Sequence, residues 1–162
     1  MASLESLYQQ VILDHAREKH GHGLRENPSA EATSAESRQY NPLCGDEVTL
    51  RVAVAGSDVA DVSWDGEGCS ISQAATSVLH DLVVGQPVAQ ARLIVADYRQ
   101  MLRSRGESEP DEDVLGDAVA FAGVGRHANR VKCAMLGWTA FEDALVRTGN
   151  TPIQDSSKGE VR

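Results

Sequence analysis

Helices gathered around an antiparallel hairpin, in a single domain, is the fold class this sequence predicts, and two observations predict it. Val48, Leu50, Val52 and Val54 alternate with polar or small residues, which is the period of a half-buried strand, while apolar residues before and after them recur at helical spacing. With 162 residues and 41% hydrophobic content, the chain has enough apolar surface for one core and too little length for two full domains.

The elements follow in order. Leu4, Leu7, Tyr8, Val11, Ile12 and His15 predict an amphipathic helix from Leu4 to Arg17, with His15 on its polar edge. Gly21 to Gln39 is polar, carries Gly21, Gly23 and Pro28, and reads as a long mobile loop that includes His22, with His20 at its entrance. The strand at Val48–Val54 turns at Gly56-Ser57-Asp58 into a second strand through Val59, Val62 and Trp64, and a third strand is open to assignment elsewhere. This hairpin makes neighbours of its two ends, at Cys44 and just before Cys69. Ile71, Ala74, Ala75, Val78, Leu79 and Leu82 predict a helix from Ser70 that stops at Gly85, and His80 lies in its middle. Pro87 opens the next, with Leu93, Ile94, Tyr98 and Leu102. Arg103 to Asp113 is an acidic loop, and Val114 to Val124 is weakly helical, broken by Gly123 and Gly125. Val131, Ala134, Met135, Trp138, Phe141 and Leu145 form the last helical stripe, with Cys133 in its first turn. The domain is expected to span residues 1–147, and Thr148 to Arg162 reads as a polar, disordered tail.

Composition excludes several functions. A net charge of −9 with scattered basic residues argues against a nucleic-acid partner, whose phosphates are bound by lysines and arginines, and 4% aromatic content leaves little to stack on bases. No apolar run reaches roughly 18 residues and no leader pattern precedes Ala16, so neither a membrane nor a secretory route is expected, and the protein is placed in the cytoplasm. In that reducing compartment three cysteines point to metal binding or catalysis before disulfides.

Cys44, Cys69 and Cys133 each have a distinct setting: Asn41-Pro42-Leu43-Cys44-Gly45-Asp46, Gly66-Glu67-Gly68-Cys69-Ser70-Ile71 and Arg130-Val131-Lys132-Cys133-Ala134. Taken singly, a cysteine is more often a small core residue. Taken together, and with two of them in Gly/Pro loop sequence, they and Asp46 make a four-ligand set for a divalent metal that only the fold can assemble. Asp46 is either a ligand or a residue that stabilises the turn at Gly45; His127 is the substitute ligand, and the other histidines read as solvated. Cys69 and Cys133 fall at predicted helix N-termini, where the dipole favours thiolate. Arg130 and Lys132 beside Cys133 oppose that dipole, which a nearby negative cluster would explain.

Leu7-Tyr8 with Val11-Ile12-Leu13-Asp14-His15, the Cys44 loop, Gly68-Cys69-Ser70-Ile71-Ser72-Gln73-Ala74, and Arg130 to Ala134 with Trp138 together resemble the U-type (IscU/NifU-like) iron–sulfur cluster assembly proteins, and among them the SufU branch. Cluster scaffolds of this family carry a His directly before the third cysteine, where this chain has Lys132, and Arg103 to Val131 resembles the SufU insertion. Ala16 to Gly23 replaces the proline-bearing segment usual after the Asp-His pair. The resemblance implies a SufE/NifU-like α+β fold, with a small antiparallel sheet of about three strands covered on one face by helices and a metal at an exposed end. It implies one zinc ion on Cys44, Asp46, Cys69 and Cys133, and a sulfurtransferase that accepts persulfide sulfur from a SufS-like, pyridoxal-phosphate cysteine desulfurase for a SufBCD-like assembly complex. Cys44, on the loop that can move, is the expected acceptor, with Arg130 supporting the released thiolate or persulfide. Two alternatives stand: a scaffold building a [2Fe-2S] cluster on the same residues, and a zinc module without turnover.

Overall fold

In a computed structural model that describes residues 3–26, 29–107 and 109–149, the first helix, α1 (Leu4–Glu18), starts where the Ser3 hydroxyl accepts the Ser6 N–H at 3.1 Å. Such a cap satisfies one of the donors a helix leaves open at its start. The helix stops at Lys19, whose left-handed φ of 50° turns the chain away. Tyr8, Ile12 and Ala16 pack on the core, and His15 is buried.

Three strands form one antiparallel sheet in the order β1 (Thr33–Asn41), β2 (Asp46–Ala55), β3 (Asp58–Glu67). The long loop expected from Gly21 to Gln39 is therefore corrected on two counts. His22 to Arg25 runs along β3, where the Gly23 N–H donates to the Trp64 carbonyl at 2.7 Å and the Arg25 N–H to Ser63 Oγ at 3.0 Å. Thr33–Asn41 pairs with β2 from Thr33 opposite Val54 to Asn41 opposite Asp46. As an edge strand, β1 buries only Ser37 and Asn41, both polar, so no hydrophobic alternation announces it. Ser37 Oγ instead donates to Asp143 Oδ2 at 2.7 Å, and with Arg147 it holds that carboxyl below its ordinary pKa. Pro28, with its neighbour, and the tail from Asn150 lie outside the described residues.

The β2–β3 hairpin turns at Gly56-Ser57, with Gly56 at φ +63°, and its inward row is Val48, Leu50, Val52 and Val54 against Val62 and Trp64. Helices α2 (Ser70–Val83), α3 (Val88–Arg103) and the short α4 (Glu112–Leu115) follow, then a 3₁₀ segment over Gly116–Arg126 and α5 (Ala128–Arg147). The fold class is α+β, as expected. The weak helical signal at Val114–Val124 resolves into α4 and the 3₁₀ segment; Ala118, Val119, Ala120, Phe121 and Val124 of the latter are buried.

Helix α5 lies against β1 and β2, and α2 against α5 and β3. Trp138 joins the layers: its indole N–H donates to the Ala75 carbonyl at 2.9 Å, and its face stacks on Tyr98 with centroids 3.6 Å apart. The Tyr98 hydroxyl donates to the Ala134 carbonyl at 2.8 Å. One residue earlier, Gly137 lets α5 touch α2, since a Cβ there would stand 2.2 Å from Thr76 Oγ1. Thr76 is buried, β-branched and hydrogen-bonded to the Ser72 carbonyl, so it has nowhere to retreat. Gly137→Ala is expected to force the helices apart at a cost of about 1–3 kcal/mol. Urea denaturation checks this; an unchanged midpoint would show that the crossing yields freely.

Candidate metal centre

The alternation that buries Val48, Leu50 and Val52 also fixes Asp46, because even-numbered positions of β2 face the helices. Asp46 is the first residue of the strand and is 4% exposed, so its carboxylate lies under the sheet's end and not in solvent. It does not hold the preceding turn. That turn is closed by Asn41, whose carbonyl accepts the Gly45 N–H at 2.8 Å and whose Oδ1 accepts the Leu43 N–H at 3.0 Å, with Gly45 at φ +78°. The loop between β1 and β2 thus carries Cys44 at an exposed tip, beside Leu43.

Cys69 is the N-cap residue of α2 and is exposed. Its backbone N–H and its Sγ both point at Asp46, at 3.3 Å from Oδ1 and 3.4 Å from Oδ2. Cys133 approaches from the other side, with Sγ 3.6 Å from Cys44 Sγ. One ligand atom from each of Cys44, Asp46 and Cys133 lies within 4.8 Å of the other two. Chain segments far apart in sequence therefore bring Cys44, Asp46 and Cys133 together, and Cys69 stands beside them against Asp46, outside the group whose ligand atoms all lie within 4.8 Å of one another.

The placement of Cys133 differs from expectation. Helix α5 begins at Ala128, which puts Cys133 in its second turn, buried, with Sγ directed to the Asn129 carbonyl at 3.7 Å. The dipole argument therefore reaches Cys69 alone. Burial first, then the Cys44 thiol and the charges of Cys69 and Asp46, push the Cys133 thiol well above its ordinary pKa. Such a cluster is unfavourable as a set of anions and favourable around a cation, so the donor chemistry fits a thiophilic divalent ion such as zinc.

Arg130 sits one turn before Cys133 on the same side of α5 and makes no ion pair among the described residues. It lines a cavity of about 590 Å³ between α1, the 3₁₀ segment and the start of α5, with Tyr8, Ile12, Ile71 and His127. Lys132 lines a recess of about 330 Å³ with Tyr40, Pro42 and Met135. His127 is the N-cap residue of α5 and stands outside the group that contains Asp46. His15, expected to be solvated, is buried instead: Nδ1 lies 2.7 Å from Ser77 Oγ and Nε2 3.0 Å from Asp117 Oδ2.

Gly68 is a site residue that the sequence marked only as loop chemistry. A Cβ there would lie 2.4 Å from Ser72 Oγ and 2.9 Å from the Asp46 carboxyl carbon, so glycine is what allows Asp46 to reach Cys69. Gly68→Ala is expected to push the carboxylate out and weaken metal binding by about 10- to 100-fold, as loss of a supporting contact does. Competition with a chromogenic chelator reads this; unchanged affinity would remove Asp46 from the centre.

The fold is α+β, and Cys44, Asp46 and Cys133 gather at the end of its sheet with Cys69 against Asp46. The chain belongs to the family of the NifU-like N terminal domain, which matches residues 7–146. It is similar to the iron-sulfur cluster assembly scaffold protein IscU of Streptococcus pyogenes serotype M1, at 31% identity over 93% of this chain and 89% of the relative. It is similar also to the zinc-dependent sulfurtransferase SufU of Bacillus subtilis (strain 168), at 33% identity over 90% of this chain and 94% of that one. Among solved structures, one described as an iron-sulfur cluster assembly scaffold for the SUF system of Fervidobacterium islandicum AW-1 superposes with a TM-score of 0.71 at 31% identity, covering 88% of this chain and 99% of its own.

Proposed function

We propose that this protein works in iron–sulfur cluster assembly as a zinc-dependent sulfurtransferase, with Cys44, Asp46, Cys69 and Cys133 as the zinc ligands. The observation that carries this reading is the unequal anchoring of the thiols: Cys44 rides an exposed loop, whereas Cys69 caps α2 and Cys133 is buried in α5. One thiol can thus leave the group while the others keep their places. The Bacillus subtilis relative, named for this activity, and Lys132 before the third cysteine support the same branch.

Zinc supplies a positive charge that keeps the thiols deprotonated at neutral pH. Cys44 turns outward as a cysteine desulfurase docks, and its thiolate attacks the terminal sulfur of the partner's cysteine persulfide. A Cys44 S–S bond forms, the partner's S–S bond breaks, and the partner's cysteine leaves as thiolate, so electrons balance without an outside oxidant. Arg130 supports the negative charge on the released thiolate or the new persulfide. The acceptor next in line is a SufBCD-like assembly complex, and the reaction belongs in a reducing compartment such as the cytoplasm, where the thiols stay free. Among the described residues no helix is long and apolar enough to cross a membrane.

A second reading, a scaffold that builds a [2Fe-2S] cluster as its cargo on the same residues, is supported by the Streptococcus pyogenes relative. The two differ in what the purified chain contains. About one zinc per chain and no colour are expected on anaerobic purification; iron with sulfide and visible absorption in place of zinc would favour the scaffold.

After incubation with desulfurase and cysteine, mass spectrometry is expected to find one added sulfur on the Cys44 peptide. Cys44→Ser should lose it together with the stimulation of the desulfurase, and Arg130→Ala should keep its zinc but lose most of the stimulation. Sulfur on Cys133 with Cys44 unmodified would overturn the assignment. Removing zinc, or Asp46→Ala, should lower the melting temperature, because the ligands tie β2, α2 and α5 together. A melting curve unmoved after verified zinc loss would deny the centre that structural role.

A further inference from the structure

We propose that His15, His20 and Asp81 form a second divalent-cation site of nitrogen and oxygen ligands, separate from the thiol centre. One ligand atom from each lies within 4.8 Å of the other two. Asp81 follows Cys69 by twelve residues on α2, which is about 18 Å at 1.5 Å per residue, so the two sites share no ligand and sit toward opposite ends of that helix.

The surroundings resemble those of metal-binding imidazoles, whose second ring nitrogen is held by a carboxylate. Glu18 Oε1 lies 2.9 Å from His20 Nε2, and Asp117 Oδ2 lies 3.0 Å from His15 Nε2. That leaves both Nδ1 atoms directed at one face of α2: His15 Nδ1 lies 2.7 Å from Ser77 Oγ, and His20 Nδ1 lies 2.6 Å from Asp81 Oδ2. Ser77 and Asp81 are one turn apart, so these contacts stand side by side. The Ser77 hydroxyl also accepts the His20 backbone N–H at 2.9 Å, which fixes the loop that carries the second imidazole. His80 Nδ1, 3.0 Å from Asp81 Oδ1, holds that carboxylate from its far side.

His15 is buried and hydrogen-bonded at both ring nitrogens, while the His20 and Asp81 side chains are 35% and 42% exposed, so a preset ligand faces two that an ion can reach and adjust. Adjustment is needed, because tetrahedral ligands about 2.0–2.1 Å from zinc stand roughly 3.3 Å apart, wider than the His20–Asp81 contact. Asp81, Glu18 and Asp117 place carboxylate oxygens around the two rings, and their negative charge attracts a cation. Two imidazoles and a carboxylate suit zinc, cobalt or nickel better than calcium or magnesium. A cation there would join α1, the segment that runs on to β3, and α2.

Titration of untagged, full-length protein tests this with zinc and cobalt(II). At saturation, metal analysis is expected to find two zinc equivalents per chain: the one kept through purification and a second taken up in the calorimetric titration. Cobalt at the second site should show d–d bands without the thiolate charge transfer of the first. His20→Asn keeps an N–H donor toward Asp81 yet lacks the imidazole nitrogen, and with Asp81→Asn it should weaken the second equivalent by about 10- to 100-fold and leave the first unchanged. Cys69→Ser should do the reverse, so failure of the thiol centre and failure of this site are told apart. A single equivalent in the unmodified protein, or a second one that persists in both His20→Asn and Asp81→Asn, would overturn the proposal.

Discussion

The close crossing of α2 and α5 at Thr76 and Gly137 governs the thiol end of the molecule. With no room for a methyl group between the helices, their separation is fixed there, and the neighbouring Trp138–Ala75 hydrogen bond fixes their slide. Cys69 lies seven residues before Thr76 and Cys133 four before Gly137, about 10 and 6 Å along the helices at 1.5 Å per residue. Each cysteine thus sits on a short rigid arm measured from one contact. The stack of Tyr98 on Trp138 and the Tyr98 bond to the Ala134 carbonyl brace the α5 arm from behind, one residue beyond Cys133.

The sheet supplies the other half of the centre by parity. Because side chains alternate, the register that buries Leu50 and Val52 also aims Asp46 under the sheet, where a lone carboxylate would be costly. Two N–H and S–H contacts from Cys69 answer it, and Gly68 leaves the space for them. The price of this convergence is electrostatic, and it is visible at Cys133, whose thiol is pushed well above its ordinary pKa by burial, by the Cys44 thiol and by Cys69 and Asp46. On the proposed ligand set, stability of the fold and binding of a cation are linked through the same four side chains.

How much of this was readable in the sequence depends on which face a residue serves. The β2–β3 hairpin and helices α2, α3 and α5 were legible because each buries an apolar row with a clear period, and α1 because its apolar spacing half-buries Tyr8, Ile12 and Ala16 while leaving Leu4 and Leu7 exposed. Strand β1 was not, since its inward positions are Ser37 and Asn41, which satisfy themselves by hydrogen bonds and leave no hydrophobic trace. His15 looked solvated at the margin of a helical stripe, yet Asp117, far along the chain, completes its burial, and no local pattern carries that information. The gathering of Cys44, Asp46 and Cys133, with Cys69 against Asp46, was readable from residue type and loop chemistry. The depth of Cys133 was not, because the final helix begins at Ala128, behind the N-cap residue His127, and not nearer the cysteine. The 3₁₀ segment over Gly116–Arg126 gave only a faint helical signal, as a three-residue repeat smears an apolar stripe around the axis.

The order of the thiols along the chain has a consequence for biosynthesis. A ribosome releases the β2–β3 hairpin and α2 well before α5, so Cys44 and Cys69 emerge while Cys133 is still to be made. A nascent chain at that stage holds two of the thiols and Asp46 without the third sulfur. Only when the last helix docks does the third sulfur arrive, so completion of the donor set reports that the domain has closed.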